Sequence, residues 1–235
     1  FKPAILDGIA KKQAEIDAIA NNPAAPTFEN TIEALERSGQ ALDRVTYVFS
    51  ALTSANTNDT LDKIDSETAP KLAALRDSIT LNEKLFARIK ALYDQRASLN
   101  LDADQLQVLT LRYEDMVRNG ALLGAADKAK LTALNGRIST LQTDFGQKLT
   151  AGTKAAALVV RNKAALAGLS EADIAAAAKL AADRGLPKGS YAIALQNTTQ
   201  QPALASLKNR ATRQALFTKS WTRSEKGDAN DTRAV

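Results

Sequence analysis

Apolar residues return every three or four positions from Ile5 to Phe145, and Pro, Gly and clusters of Asn and Asp interrupt them. That period lets a helix collect its apolar side chains on one face. The first 155 or so residues are therefore predicted to be helix after helix. Pro3 can open the first, with Ile5, Ile9, Ile16 and Ile19 on one side, and Pro23 and Pro26 end it. Thr27 is a good N-cap for a short helix carrying Phe28, Ile32 and Leu35, closed by Gly39. The next carries Leu42, Val45, Phe49 and Leu52. The cap-forming cluster Asn56-Thr57-Asn58-Asp59 precedes Leu61, Ile64, Leu72, Leu75 and Ile79, with Pro70 either kinking or dividing that helix. Asn82 starts a helix through Leu85, Ile89 and Leu92. Asp102 or Asp104 starts another through Leu106, Leu109, Tyr113 and Val117, stopped at Asn119-Gly120. The longest is predicted from about Ala125 to Leu149, with Leu131, Leu134, Ile138, Leu141 and Phe145 as its apolar stripe.

After residue 155 the pattern changes. Ala157-Leu158-Val159-Val160 and Tyr191-Ala192-Ile193-Ala194-Leu195 are β-like runs. Between them, Ser170 with Asp173 forms a capping-box pattern that opens an Ala-rich helix ending at Gly185 and Pro187. Strand, helix, strand predicts a βαβ unit with parallel neighbours. Two strands are not stable alone, so the unit is expected to lean on other structure. Short helices around Leu204 and Leu216 follow. The expected fold class is mostly α: a multi-helix region over 1–155, then a mixed β-α-β segment with helices over 156–235. Aromatics are only 5% of the chain, so Ala, Leu, Ile and Val must build the core.

The residue inventory excludes much chemistry. There is no His and no Cys, hence no HExxH zinc site, no imidazole base, no thiolate and no disulfide. No phosphate-binding Gly-rich loop is present. Catalytic residues: none; metal ligands: none. Glu114-Asp115 and Asp62/Asp65/Glu67 are the densest carboxylates, and a solvated helix face is the favoured reading over buried acid–base work. No apolar run approaches the roughly 18 residues of a membrane span. The absence of Cys suits cytosolic and periplasmic proteins alike; a cytoplasmic location is expected, with the periplasm as the alternative. Oligomeric state is not legible.

The net charge is +5, and the excess lies at the end: residues 151–235 carry 13 basic and 6 acidic side chains. Such a field favours an acidic partner. Lys208, Arg210, Arg213, Lys219 and Arg223 interleave with Leu216, Phe217 and Trp221, which could suit nucleic acid with an aromatic stacker. The favoured reading is an amphipathic helix whose Phe217 and Trp221, four apart, face the core. The run Gln196-Asn197-Thr198-Thr199-Gln200-Gln201 is unusual in being polar and uncharged. Gln196, Asn197, Thr198, Thr199 and Gln200 could hold a peptide backbone, since amides and hydroxyls between them donate and accept. The alternative, which we favour, is a loop that caps the helix after Pro202.

Several stretches carry a resemblance, in order and over essentially the whole chain. They are Pro26-Thr27-Phe28-Glu29-Asn30-Thr31-Ile32 with Ala34-Leu35-Glu36-Arg37-Ser38-Gly39, Ser54-Ala55-Asn56-Thr57-Asn58-Asp59, and Ala69-Pro70-Lys71-Leu72. Then come Leu85-Phe86-Ala87-Arg88-Ile89-Lys90-Ala91-Leu92-Tyr93, Phe145-Gly146-Gln147, and Leu195-Gln196-Asn197-Thr198-Thr199-Gln200-Gln201-Pro202. Last are Ser220-Trp221-Thr222-Arg223 and Gly227-Asp228-Ala229-Asn230-Asp231-Thr232. No single piece is diagnostic; together they resemble the N-terminal half of the thimet-oligopeptidase-like zinc peptidases, on the bacterial peptidyl-dipeptidase side of that family.

The resemblance implies a mostly helical, channelled enzyme that removes dipeptides from the C-termini of short peptides. One zinc on the channel floor would be bound by the two His of HExxH and a downstream Glu, with the motif's own Glu as general base. None of those residues is in this chain. The resemblance therefore implies a piece of the enzyme, inactive alone, contributing a channel wall over 1–155 and the start of a truncated catalytic region over 156–235. The absence of an initial Met, and a helix start at Asn230-Asp231-Thr232 so near Val235, agree with that expectation. The implied partners are short peptides and the missing C-terminal catalytic half; no membrane partner and no nucleic acid is expected. An autonomous, non-catalytic helical binding module is the alternative.

Overall fold

The computed structural model describes all residues, Phe1–Val235, as two compact units, 1–143 and 144–235, whose boundary falls inside one long helix. The chain is mostly helical, as the apolar period requires. No helix is long and apolar enough to cross a membrane.

The first unit begins with α1 (Lys2–Ala20), which has Pro in its first turn and buries Ile5, Ile16 and Ile19. Thr27 caps a wide π-type turn over Phe28–Glu33 that runs into α2 (Ala34–Arg37). Its hydroxyl accepts from the Asn30 amide at 3.1 Å, and the Asn30 carboxamide accepts from the Thr27 amide at 2.9 Å. After Gly39 come α3 (Gln40–Asn56) and α4 (Asp59–Thr80), the latter capped by Asn58. Pro70 neither ends nor divides α4. Asn82 caps α5 (Glu83–Asp94), and Asp102 with Gln105 forms the capping box of α6 (Ala103–Arg118). These side chains satisfy amide groups that a helix start otherwise leaves bare.

Helix α1 packs on α3, α4 and α5, and α5 on α6. The core between them is aliphatic, centred on Ile16, Ile32, Leu85, Ile89 and Leu109, with a smaller cluster around Ile5, Leu42, Phe49 and Leu75. Among the charged side chains buried in this unit is Arg88. Arg88 donates to the carbonyls of Asn22 and Ala24, at 2.8 and 2.9 Å, and to the Asn30 carboxamide at 2.7 Å. It thereby ties the turn after α1 to the core, and its charge is met by convergent dipoles.

The longest helix, α7, spans Ala125–Ala155, six residues beyond its expected end. Its predicted apolar stripe does not face a core: Leu134, Ile138 and Phe145 are exposed, and only Gly152 of the whole helix is buried.

The second unit has a two-stranded sheet of β1 (Leu158–Val160) and β2 (Tyr191–Ile193). The predicted parallel pairing is wrong. The strands are antiparallel, with Leu158 opposite Ile193 and Val160 opposite Tyr191. The reason lies in residues 161–170. Asn162 caps a 3-10 turn over Lys163–Leu166, and Gly168 follows at φ +103°. This turn gives the chain a reversal that a simple crossover lacks. A β-carbon at Gly168 would stand 2.1 Å from the Ser206 carbonyl oxygen, so only glycine allows the turn to pass there. Ser170 then caps α8 (Glu171–Asp183), which lies on β2. Last come α9 (Asn197–Ser206) and α10 (Arg210–Trp221), the latter capped by Asn209. Leu158, Leu166, Ile193, Leu207 and Leu216 meet in the unit's core, which is what the marginal two-stranded sheet leans on.

Candidate functional site

The dense carboxylates of the first unit form no acid–base pair. Glu114 holds Arg118 at 2.6 Å, Asp115 accepts from Asn119, Glu67 holds Lys2 at 2.7 Å, and Asp62 accepts from Thr57. Asp65 is half-buried, and that burial, with the neighbouring Asp62 charge, raises its pKa above the ordinary carboxylate value. No group of three or more Asp and Glu side chains is arranged to hold a metal ion.

The most developed site lies in the second unit. Helix α10 points Thr212, Leu216 and Ser220 inward, four residues apart, and Leu216 is fully buried. Phe217 and Trp221 sit one position further on, about 100° round the helix. The expectation that they face the core therefore fails: Phe217 is 52% and Trp221 70% exposed. Their rings lean on one another, centroids 5.7 Å apart at 46°.

This pair walls a cavity of about 540 Å³. Leu149 from α7 and Leu204 from α9 complete the apolar side; Gln200, Arg223 and Ser224 supply polar groups. Three buried polar atoms there have no hydrogen-bond partner: Gln200 Oε1, Arg223 Nε and Ser224 Oγ. An unpartnered buried polar group costs roughly 1–3 kcal/mol; these three atoms are closed off from the open space of the cavity, and Ser224 Oγ lies against Gly152. Arg223 is anchored by its Nη1, which donates to the Ser220 carbonyl at 2.7 Å. The floor is fixed by the segment after α10. The Thr232 amide donates to the Ser224 carbonyl at 3.0 Å, and the Asp231 carboxylate accepts from the Gly227 amide at 2.6 Å. Arg233 donates to both Asp231 oxygens, at 3.0 and 2.5 Å. The Arg233 side chain, then the amides of Arg233 and Gly227, hold the Asp231 carboxyl far below the ordinary carboxylate range.

The polar run falls partly on this cavity. It is not the loop expected: Gln196 is the N-cap position of α9, and Asn197, Thr198, Thr199 and Gln200 form its first turn. Gln196 through Thr199 are exposed and do not line the cavity; Gln200 and the following Gln201 do. Arg223 stood out in the sequence only as one basic residue among several, and Ser224 not at all. What marks them is burial without partners, which no local pattern announces. The cavity sets the Phe217–Trp221 wall beside Gln200, Arg223, Ser224 and Glu225.

The mostly helical fold is what the resemblance to oligopeptidases implied. No family model matches the chain. Among curated proteins, it is 49% identical over all 235 residues to the dipeptidyl carboxypeptidase of Escherichia coli K12. It is 48% identical to that of Salmonella typhimurium LT2, again over its whole length. Oligopeptidase A of Haemophilus influenzae is 25% identical over 228 residues, 97% of the chain. The matched part of the dipeptidyl carboxypeptidases is their N-terminal third, and the chain spans 34% of their length. The chain is thus similar to the N-terminal part of bacterial dipeptidyl carboxypeptidases, and more distantly to oligopeptidase A.

Proposed function

We propose that this chain is the non-catalytic N-terminal part of a zinc-dependent peptidyl-dipeptidase, an enzyme that takes dipeptides from the C-termini of short peptides. The observation that carries this reading is the 49% identity to a dipeptidyl carboxypeptidase sustained over every residue of the chain. Helices of the first unit contribute to the wall of a substrate channel, and the second unit leads into the catalytic region.

The residues present do not fit a catalytic zinc. The chain has no His or Cys to coordinate it, and its carboxylates are spread over separate ion pairs and caps. No step of the reaction is assigned to them; the ligands and general base belong to sequence outside these 235 residues. The reading frame tests this directly. It should continue into an HExxH motif with a downstream Glu, and a stop codon immediately after Val235 contradicts the proposal. A cytoplasmic location, with the periplasm as the alternative, belongs to the same reading and is decided by fractionating the source cells.

One observation favours a second reading, an autonomous helical binding module. The cavity beside Phe217 and Trp221 is walled by residues of this chain alone. A stop codon after Val235, with a folded and abundant 235-residue product, supports that reading instead.

A further inference from the structure

The segment after α10 brings the chain back to the open side of the second unit's cavity. Asp231 is buried, and its carboxylate accepts from the Arg233 amide at 2.9 Å, the capping contact of a helix start. The turn Thr232–Ala234 follows, and the Val235 amide donates to the Thr232 carbonyl at 3.3 Å. This start is fixed in place, because the Thr232 amide donates to the Ser224 carbonyl. Thr232 is itself part of the cavity wall, beside Phe217 and Trp221. Those two rings are exposed, and Gln201 and Glu225 stand near them on the same wall. Adjoining exposed aromatics with polar neighbours have the composition of a surface that another apolar face covers.

We propose that the helix begun at Thr232 continues past Val235 and lays an apolar stripe over Phe217 and Trp221. This rests on the reading above, in which further polypeptide follows Val235: the chain matches the N-terminal third of the dipeptidyl carboxypeptidases and spans 34% of their length. A single turn does not stand alone, and the packing of an apolar face is what stabilises a helix in a protein. The occupant is this segment because it is joined to the cavity's own wall. A tether of a few residues presents it to the rings at an effective concentration of about millimolar, which a free ligand or a second copy does not match. The contact is made by the open faces of the rings, and the closed polar atoms behind them take no part. Residues on the face of Thr232 lie about four, seven and eleven positions beyond it. The geometry requires apolar side chains there and no Pro after the first turn.

The reading frame separates the two proposals. A stop codon after Val235 overturns the peptidase reading and this one with it. A frame that continues, but sets charged residues or Pro on that face, overturns this one alone.

The product of the full reading frame supplies the direct test. Hydroxyl-radical footprinting reads Trp221 in that product and in the 235-residue chain. Oxidation follows exposed ring area, so an indole that goes from 70% exposed to buried should react at least about fivefold more slowly in the long form. Equal reactivity in the two forms overturns the proposal. A photo-crosslinker, p-benzoylphenylalanine at position 217 of the long form, identifies what covers the rings. It should join to the first dozen or so residues after Val235, roughly three turns of helix. The same probe at position 221 gives the reading if the first variant does not fold. A cross-link to a later segment, or to a second copy of the chain, overturns the proposal.

Discussion

Gly152 and Ser224 touch in a way that only a glycine permits: a β-carbon at 152 would stand 2.3 Å from Ser224 Oγ and 3.0 Å from the Arg223 carbonyl oxygen. This contact sets the end of α7 against the segment that carries two of the cavity's polar groups. Alanine at 152 would gain about 1 kcal/mol in helix propensity. Overpacking against backbone costs about 1–3 kcal/mol and outweighs it. Gly152→Ala is therefore expected to lower the Tm and shift Trp221 emission. Gly136, in the same helix, has open space where a β-carbon would go. Gly136→Ala is expected to raise the Tm. Thermal melts of the two variants check the contrast, and a stabilised G152A would show that the close approach does not exist.

The face of α10 yields a second contrast. Leu216 is fully buried, so Leu216→Ala should cost about 2–5 kcal/mol in urea unfolding. Trp221 is 70% exposed, so Trp221→Ser should change stability by no more than about 0.5 kcal/mol. If W221S proved as damaging as L216A, the aromatic pair would be core after all.

Asp231 gives a pH signature. Its folded pKa is depressed by the Arg233 side chain and the amides of Arg233 and Gly227. A depressed carboxylate adds stability that is fully present above its unfolded pKa, about 3.9, and is lost as the pH falls through its folded value. Asp231→Asn keeps a capping side chain and removes the charge. The variant should be less stable than the parent at pH 5–7, and the gap should close steadily below about pH 4. Denaturant melts from pH 7 to about pH 2.5 follow it. A gap that does not depend on pH would mean the charge plays no part.

The helices were legible because their punctuation is local. Thr27, Asn82, Asp102 and Ser170 each cap a helix where the sequence places a cap. The strand direction was not legible. Strands of three residues carry no directional signal, and the reversal depends on how Asn162 and Gly168 shape residues 161–170. On α10 the heavy aromatics drew the eye, yet burial follows the Thr212–Leu216–Ser220 line, a difference of one residue. The polar run pointed at the right helix, but only the position of Gln200 on the first turn of α9 brings it to the cavity. Arg223 and Ser224 join it through folding and not through spacing in the chain. The apolar stripe of α7 was visible in the sequence, whereas its exposure is a fact of three dimensions.

The central proposal is that the chain is part of a peptidase whose catalytic groups lie in sequence outside these 235 residues. The most direct measurement is hydrolysis of an N-blocked tripeptide by the purified 235-residue chain and by the full reading-frame product, each with added zinc and with a chelator. The account predicts release of the C-terminal dipeptide by the long form alone, abolished by the chelator. Zinc-dependent turnover by the 235-residue chain, with contaminants excluded, would contradict it.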